Sequence, residues 1–245
     1  MSKVYVSELA GEPLIDYLSA KGLEVHLEHG CASENRCISN SCIPDSCATN
    51  CASKPLVDVN ISTHADIYRC QLGLLRNAHI YNGNRRLPHA PYPDEAIYNA
   101  VATDKLFIHR LDITAPDLLN HINGLDHLSK INVSQGYTRC SLLPVTDNSF
   151  ITSDPGVAKV LNSAGADVLL VTHDMIKLQG YSYGFIGGCA GNLLIDNIPT
   201  LLFNGDLSSH PDYKRITAFA EDRDYEIKYF PNYPLEDIGS ILFEY

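Results

Sequence analysis

Apolar runs along this chain come in pairs joined by tight polar turns, and a capped amphipathic stretch and a third apolar run follow each pair. Residues 141–171, "SLLPVTDNSFITSDPGVAKVLNSAGADVLLV", show the unit most clearly. Leu142, Leu143 and Val145 predict a first strand, and Asp147-Asn148 is turn chemistry. Phe150 and Ile151 carry a second strand. Asp154 before Pro155 predicts an N-cap with proline at the first helical position. Val157, Val160 and Leu161 have helical spacing, and Gly165 lies just past the helix end. "ADVLLV" predicts a third, buried strand.

The same order recurs with drift. "GFIGGCAGNLLIDNIPTLLFNGD", "HPDYKRITAFAED" and "YEIKYF" predict two strands, a helix and a strand. "YNAVATDKLFIHRLD", "APDLLNHING" and "KINVS" do the same earlier in the chain. "HADIYRCQLGLLRNAHIYNG" supplies two strands, but the helix expected next is replaced by the proline-rich "RRLPHAPYPDE", which predicts a loop. At the N-terminus, "KVYVS", "EPLIDYLSAKG" and "LEVHLEH" give strand, helix and strand without a first strand. "DIGSILFEY" at the C-terminus is a spare strand that completes the unit if the two ends pair. A repeat of roughly 40–50 residues is the signature of propellers and arrays. The expectation is a single α/β domain over residues 1–245. It is a five-bladed α/β propeller with pseudo-fivefold symmetry, closed by pairing of the N- and C-terminal strands. One blade is split across 1–29 and 235–245, and a Cys-rich loop is inserted at 30–54. A doubly wound sheet needs one strand before each helix, not two.

Five such blades resemble the pentein fold of guanidino-group-modifying enzymes: arginine and agmatine deiminases, dimethylarginine dimethylaminohydrolase and the amidinotransferases. "INVSQGYTRCSLLPV", "SFITSDPG", "GYSYGFIGG", "NGDLSSHPDYKRI" and "PLEDIGSIL" resemble, in particular, an uncharacterised bacterial family placed with that fold. The likeness spans most of residues 55–245. It implies a central channel in which a Cys attacks a guanidinium carbon, a His carries protons and carboxylates hold the cation. The enzymes carry their Cys on a glycine-rich strand near the C-terminus. Here that strand, "EDIGSILFEY", has Ser240 and neither Cys nor His.

Other residues are candidates for the chemistry. Cys140, at the start of a first strand, is a candidate nucleophile, with Arg139 beside it to lower its pKa. A small buried hydrophobe is the competing reading of Cys140. Cys189, within "GGCAG", is the weaker alternative. That string lacks the G-x-G-x-x-G dinucleotide pattern. His64 and Asp66, two apart, would share a face of a strand and form a proton-transfer pair, or a hydrogen-bonded strand end. Asn99, Arg139, Asn192, Asp237 and Ser240 are expected to line the ligand site.

Composition narrows the partners. The 245 residues carry a formal net charge of −11. This argues against nucleic acid or an anionic membrane, both of which need Lys/Arg clusters. A small-molecule ligand is the expected partner, and oligomeric state is left open. "MSKVYVSELAGEP" has no apolar signal region. A cytoplasmic location is expected, with the eight Cys largely reduced.

Five of those Cys, namely Cys31, Cys37, Cys42, Cys47 and Cys51, fall in "CASENRCISNSCIPDSCATNC". Three readings stand: a zinc or iron–sulfur site helped by His26 or His29, disulfides or thiol modification, and a Ser/Asn-rich loop with incidental Cys. No cofactor is expected for the propeller itself. The leading function is binding of a guanidino- or amino-type ligand with hydrolase or amidinotransferase-like activity. A non-catalytic binding protein and a metal or redox protein acting through 31–51 are the alternatives.

Overall fold

The computed structural model describes residues 1–30 and 57–245, so the five Cys from Cys31 to Cys51 lie outside the described residues. Strands β1 (Lys3–Ser7) and β2 (Glu24–Glu28) flank helix α1 (Glu12–Ala20). Helix α2 (Ala65–Tyr68) leads into β3 (Arg69–Leu72), and β4 (His79–Asn82) follows. Then come β5 (Val101–Ala102), β6 (Leu106–His109), α3 (Pro116–Asn123) and β7 (Ser129–Asn132). The unit first read from the sequence is α4 (Thr138–Ser141), β8 (Leu142–Thr146), β9 (Ser149–Thr152), α5 (Pro155–Ser163) and β10 (Asp167–Leu170). The chain ends with β11 (Ala190–Ile195), β12 (Ile198–Phe203), α6 (Tyr213–Glu221), β13 (Glu226–Lys228) and β14 (Leu242–Glu244).

The repeat builds small sheets. In the sheets β5-β6-β7, β8-β9-β10 and β11-β12-β13, the first two strands are antiparallel and the third returns parallel to the middle one after a helix. The chain ends form another: β14 pairs antiparallel with β1, Val4 opposite Phe243, and β2 runs parallel to β1. β3 and β4 make a two-stranded sheet, and no helix follows them among the described residues up to β5.

The expected pentein-like five-bladed propeller is corrected by this arrangement. The strands fall into five separate sheets of two or three strands, none of them closed or curled, in a mixed α/β fold. The physical reason lies in what the repeat encodes. A tight turn, a capped helix and a parallel return specify each small sheet locally, and none of them specifies a ring.

Local signals act where they were read. The Asp154 carboxylate accepts from the backbone N–H groups of Gly156 and Val157, with Pro155 opening α5. Gly165 takes φ 85° just after the helix, a conformation that suits glycine. Each helix buries one stripe: Val157 and Leu161 in α5, Leu118 and Ile122 in α3, Ile216 and Ala220 in α6. Apolar side chains also pack from sheet to sheet, as Leu143, Val145 and Ile151 do with Leu201 and Phe203. At about 1.5–3 kcal/mol for each large side chain removed from water, these contacts hold the sheets and the turns between them in place. No helix among the described residues is long and apolar enough to cross a membrane.

Candidate functional site

The turns that lead into the first strand of each sheet converge on one buried polar group. His64 and Asp66 precede β3, Asn99 precedes β5, Arg139 and Cys140 precede β8, Gly188 precedes β11, and Asp237 to Ser240 precede β14. Backbone hydrogen bonds tie these turns together. Gly188 N donates to Cys140 O at 2.8 Å, Ser240 N to Gly188 O at 2.8 Å, and Asp66 N to Gly239 O at 3.4 Å.

Three local expectations change. The C-terminal strand starts only at Leu242, so Asp237 and Ser240 precede it rather than lie in it. Cys140 does not begin a strand but sits in the helical turn α4. Asn99 is the cause: its Oδ1 accepts from the backbone N–H of Arg139 at 2.8 Å and of Cys140 at 3.1 Å, holding both out of the ladder. His64 and Asp66 do not share a strand face, because His64 immediately precedes α2 and Asp66 lies within it.

The side chains nonetheless meet. The ligand atoms of His64, Cys140 and Asp237 lie within 4.8 Å of one another, and all three residues are buried. The Cys140 thiol donates to Asp66 Oδ2 at 3.0 Å, and Asn99 Nδ2 donates to Cys140 Sγ at 3.3 Å. Ser240, at φ 69°, donates from its hydroxyl to Asp66 Oδ2 at 2.6 Å. Asp66 Oδ1 is buried with no partner. Asp237 is held by the backbone N–H of Phe185 at 2.9 Å and of Gly239 at 3.0 Å. Two glycines make the closeness possible: a Cβ at Gly188 would overlap the Asp237 carboxylate, and one at Gly239 would overlap His64 Cβ. A cleft of about 160 Å³ reaches His64 and Asp237 from outside, lined also by Ser7, Asn60, Gln179 and Glu236, with Cys140 and Asp66 buried behind them.

Electrostatics make the resting thiol neutral. Burial pushes the Cys140 pKa well up, and the carboxylates of Asp66 and Asp237 push it further. Arg139 was expected to lower it. Instead the rise wins, and the buried Arg139 guanidinium donates to the carbonyls of Gly187 at 3.0 Å and Ala190 at 3.1 Å. Burial also raises Asp237, while His64 and the N–H groups of Gly239 and Phe185 oppose the rise.

Other candidates are placed elsewhere. The amide of Asn192 donates to the carbonyls of Pro144 and Val145 and to the Tyr225 hydroxyl oxygen, so it works between sheets. Cys189 packs with Leu143 and Val145, its thiol on the carbonyl of Ile186. His29 pairs with Glu8 and His26 stacks on Tyr5. Sequence reasoning passed over Ser7, Asn60, Gln179 and Glu236 in the cleft wall. Glycine just ahead of an apolar strand, as in "IGGCAG" and "DIGSIL", was the available signal.

Fold and site together define a mixed α/β protein whose strand-leading turns hold a buried thiol, imidazole and pair of carboxylates. The chain belongs to a family described as "Family of unknown function (DUF6873)", whose model matches residues 73–242. That span includes Asn99, Arg139, Cys140, Asp237 and Ser240, while His64 and Asp66 lie ahead of it. No curated protein matches the chain.

Proposed function

We propose that the chain binds a small cation bearing a guanidinium or amidinium group at the cleft beside His64 and Asp237, and that Cys140 attacks the central carbon of that group. One observation carries the reading: a thiol, an imidazole and a carboxylate lie within 4.8 Å of one another, with a second carboxylate bonded to the thiol. Paired carboxylates match the planar fork of a guanidinium. A thiol surrounded by acids stays protonated, and a cation bound among those acids reverses the field and stabilises the thiolate. The cleft, about 160 Å³, holds roughly five waters at about 30 Å³ each, so a ligand of a few heavy atoms fits.

The roles follow from the contacts. Asp66 and Asp237 hold the cation, Ser240 holds Asp66, and Asn99 fixes the turn that aims Cys140. A C–S bond forms as the thiol proton passes to His64 and from there to the departing amine. Water then cleaves the C–S bond, the product leaves, and the thiol is restored. An amine in place of water gives group transfer by the same steps. The reading suits the reducing cytoplasm, since Cys70, Cys140 and Cys189 are free thiols.

A thermal-shift screen of guanidino and amino compounds on the metal-free chain tests it, followed by assays of product amine. Ligands that raise the melting temperature of both the parent chain and Cys140→Ala, with turnover in the parent alone, are the expected result. Absence of any stabilising cation, or equal turnover in Cys140→Ala, overturns it. Binding without turnover is the second reading, favoured by the Cys140 proton being held by Asp66. It gives the same stabilising ligands and no product from either chain.

A further inference from the structure

We infer that His64, Cys140 and Asp237 form a binding site for a borderline-soft divalent metal ion of the zinc class, with Asp66 beside it on the Cys140 thiol. The donor set selects the metal. One imidazole nitrogen, one sulfur and one or two carboxylate oxygens suit zinc and its neighbours, whereas magnesium and calcium prefer oxygen alone. The donors come from turns ahead of three different strands, so the fold, rather than a short sequence motif, brings them together.

The geometry is close to what a tetrahedral ion needs. Metal–ligand bonds of about 2.0–2.3 Å put neighbouring donors roughly 3.5 Å apart. The three donors lie within 4.8 Å of one another, and Cys140 Sγ and Asp66 Oδ2 are already 3.0 Å apart. A closure of about 1 Å by side-chain rotation brings the rest to bonding distance. Asp66 supplies the independent observation. The residue is 1% exposed, one of its oxygens is on the thiol, and Oδ1 has no partner. A buried carboxylate oxygen left without a partner is costly, and a metal ion would satisfy it.

Charge points the same way. With Cys140 as thiolate, the donors and Asp66 carry three negative charges. A divalent ion and the buried Arg139, which interacts electrostatically with Asp66, Cys140 and Asp237, balance them. Binding breaks the S–H bond, forms the metal–sulfur bond and releases one proton to solvent through the cleft lined by His64 and Asp237, with no change of oxidation state. The site does not depend on turnover of a guanidino compound. A bound ion would tie up Cys140 and keep it from acting as a nucleophile.

The test is an anaerobic Co²⁺ titration of the full chain with Cys31, Cys37, Cys42, Cys47 and Cys51 changed to Ser, so that the tract cannot contribute. A thiolate-to-cobalt band in the near ultraviolet, saturating at one equivalent and abolished by Zn²⁺, is expected. Cys140→Ala should remove the band, and Asp237→Asn should weaken binding by about tenfold or more. Alkylation of Cys140 in the parent chain, followed by mass spectrometry, gives a second readout that needs no variant, and Zn²⁺ should slow it about tenfold or more. No band, a band that survives Cys140→Ala in a chain that still melts cooperatively, or alkylation indifferent to Zn²⁺ overturns the inference. Failure of the guanidino screen leaves these readouts untouched, because that screen uses metal-free protein.

Discussion

His109 gives the sharpest quantitative test of how the site is held. It is fully buried in β6, and burial pushes its pKa from 6.5 down to about 4. Its Nε2 faces the carbonyls of Ala96 at 3.2 Å and Gly136 at 3.1 Å, and its Nδ1 meets Thr114 Oγ1 at 2.7 Å. The neutral tautomer with its proton on Nε2 satisfies all of these, donating to the carbonyls and accepting from Thr114. Those carbonyls belong to the segments that carry Asn99 and Cys140, so one imidazole joins the two turns. The folded pKa is depressed, so the unfolded chain takes up the proton first as pH falls. Stability from this residue is complete above about pH 6.5 and lost progressively down to about pH 4. At about 1.4 kcal/mol per pH unit, the loss totals about 3 kcal/mol. Urea unfolding of the parent and His109→Gln at pH 7.5, 5.5 and 4 reads this directly, because the carboxylates common to both chains cancel. The variant should be less stable at pH 7.5, and the gap should narrow by about 3 kcal/mol by pH 4. A gap that stays constant or widens on acidification refutes the reasoning.

Two further outcomes follow from the same geometry. Asp66→Asn removes a charge 3.0 Å from the Cys140 sulfur, so the thiol pKa should fall and its alkylation near pH 8 should quicken about tenfold or more, measured on the Cys140 peptide; an unchanged or slower rate contradicts the electrostatic account. Gly239 and Gly22 both have φ 72°, but a Cβ at Gly239 overlaps His64 whereas one at Gly22 meets open space. Gly22→Ala should therefore cost about 1 kcal/mol and Gly239→Ala clearly more, and equal urea midpoints would show that His64 is not packed there.

What the sequence revealed, and what it hid, divides along the range of the forces. The paired strands, the Asp154 cap and the Gly165 stop were legible because each is settled within a few residues. The relation between sheets was not, since a repeat period fixes each sheet and leaves their arrangement to packing among residues far apart in the chain. The site shows the same division. Cys140, His64, Asp66, Asp237 and Ser240 stood out as polar or reactive residues beside apolar strands, yet all five were expected on strands and lie instead in the turns and short helices that lead into them. The Asn99 side chain captures two backbone N–H groups some 40 positions away, and no local propensity records that. Asn192 is placed by a related effect. It was expected to line the ligand site, but β8 shifts register between Pro144 and Thr146. The Asn192 amide serves the Pro144 and Val145 carbonyls at that irregularity. A polar residue in an apolar strand thus has two explanations, a ligand or a flaw in a neighbouring ladder. Only the position of the neighbour decides between them. For Asp66, buried in α2 with one carboxylate oxygen unpartnered, a bound metal ion is the explanation proposed above.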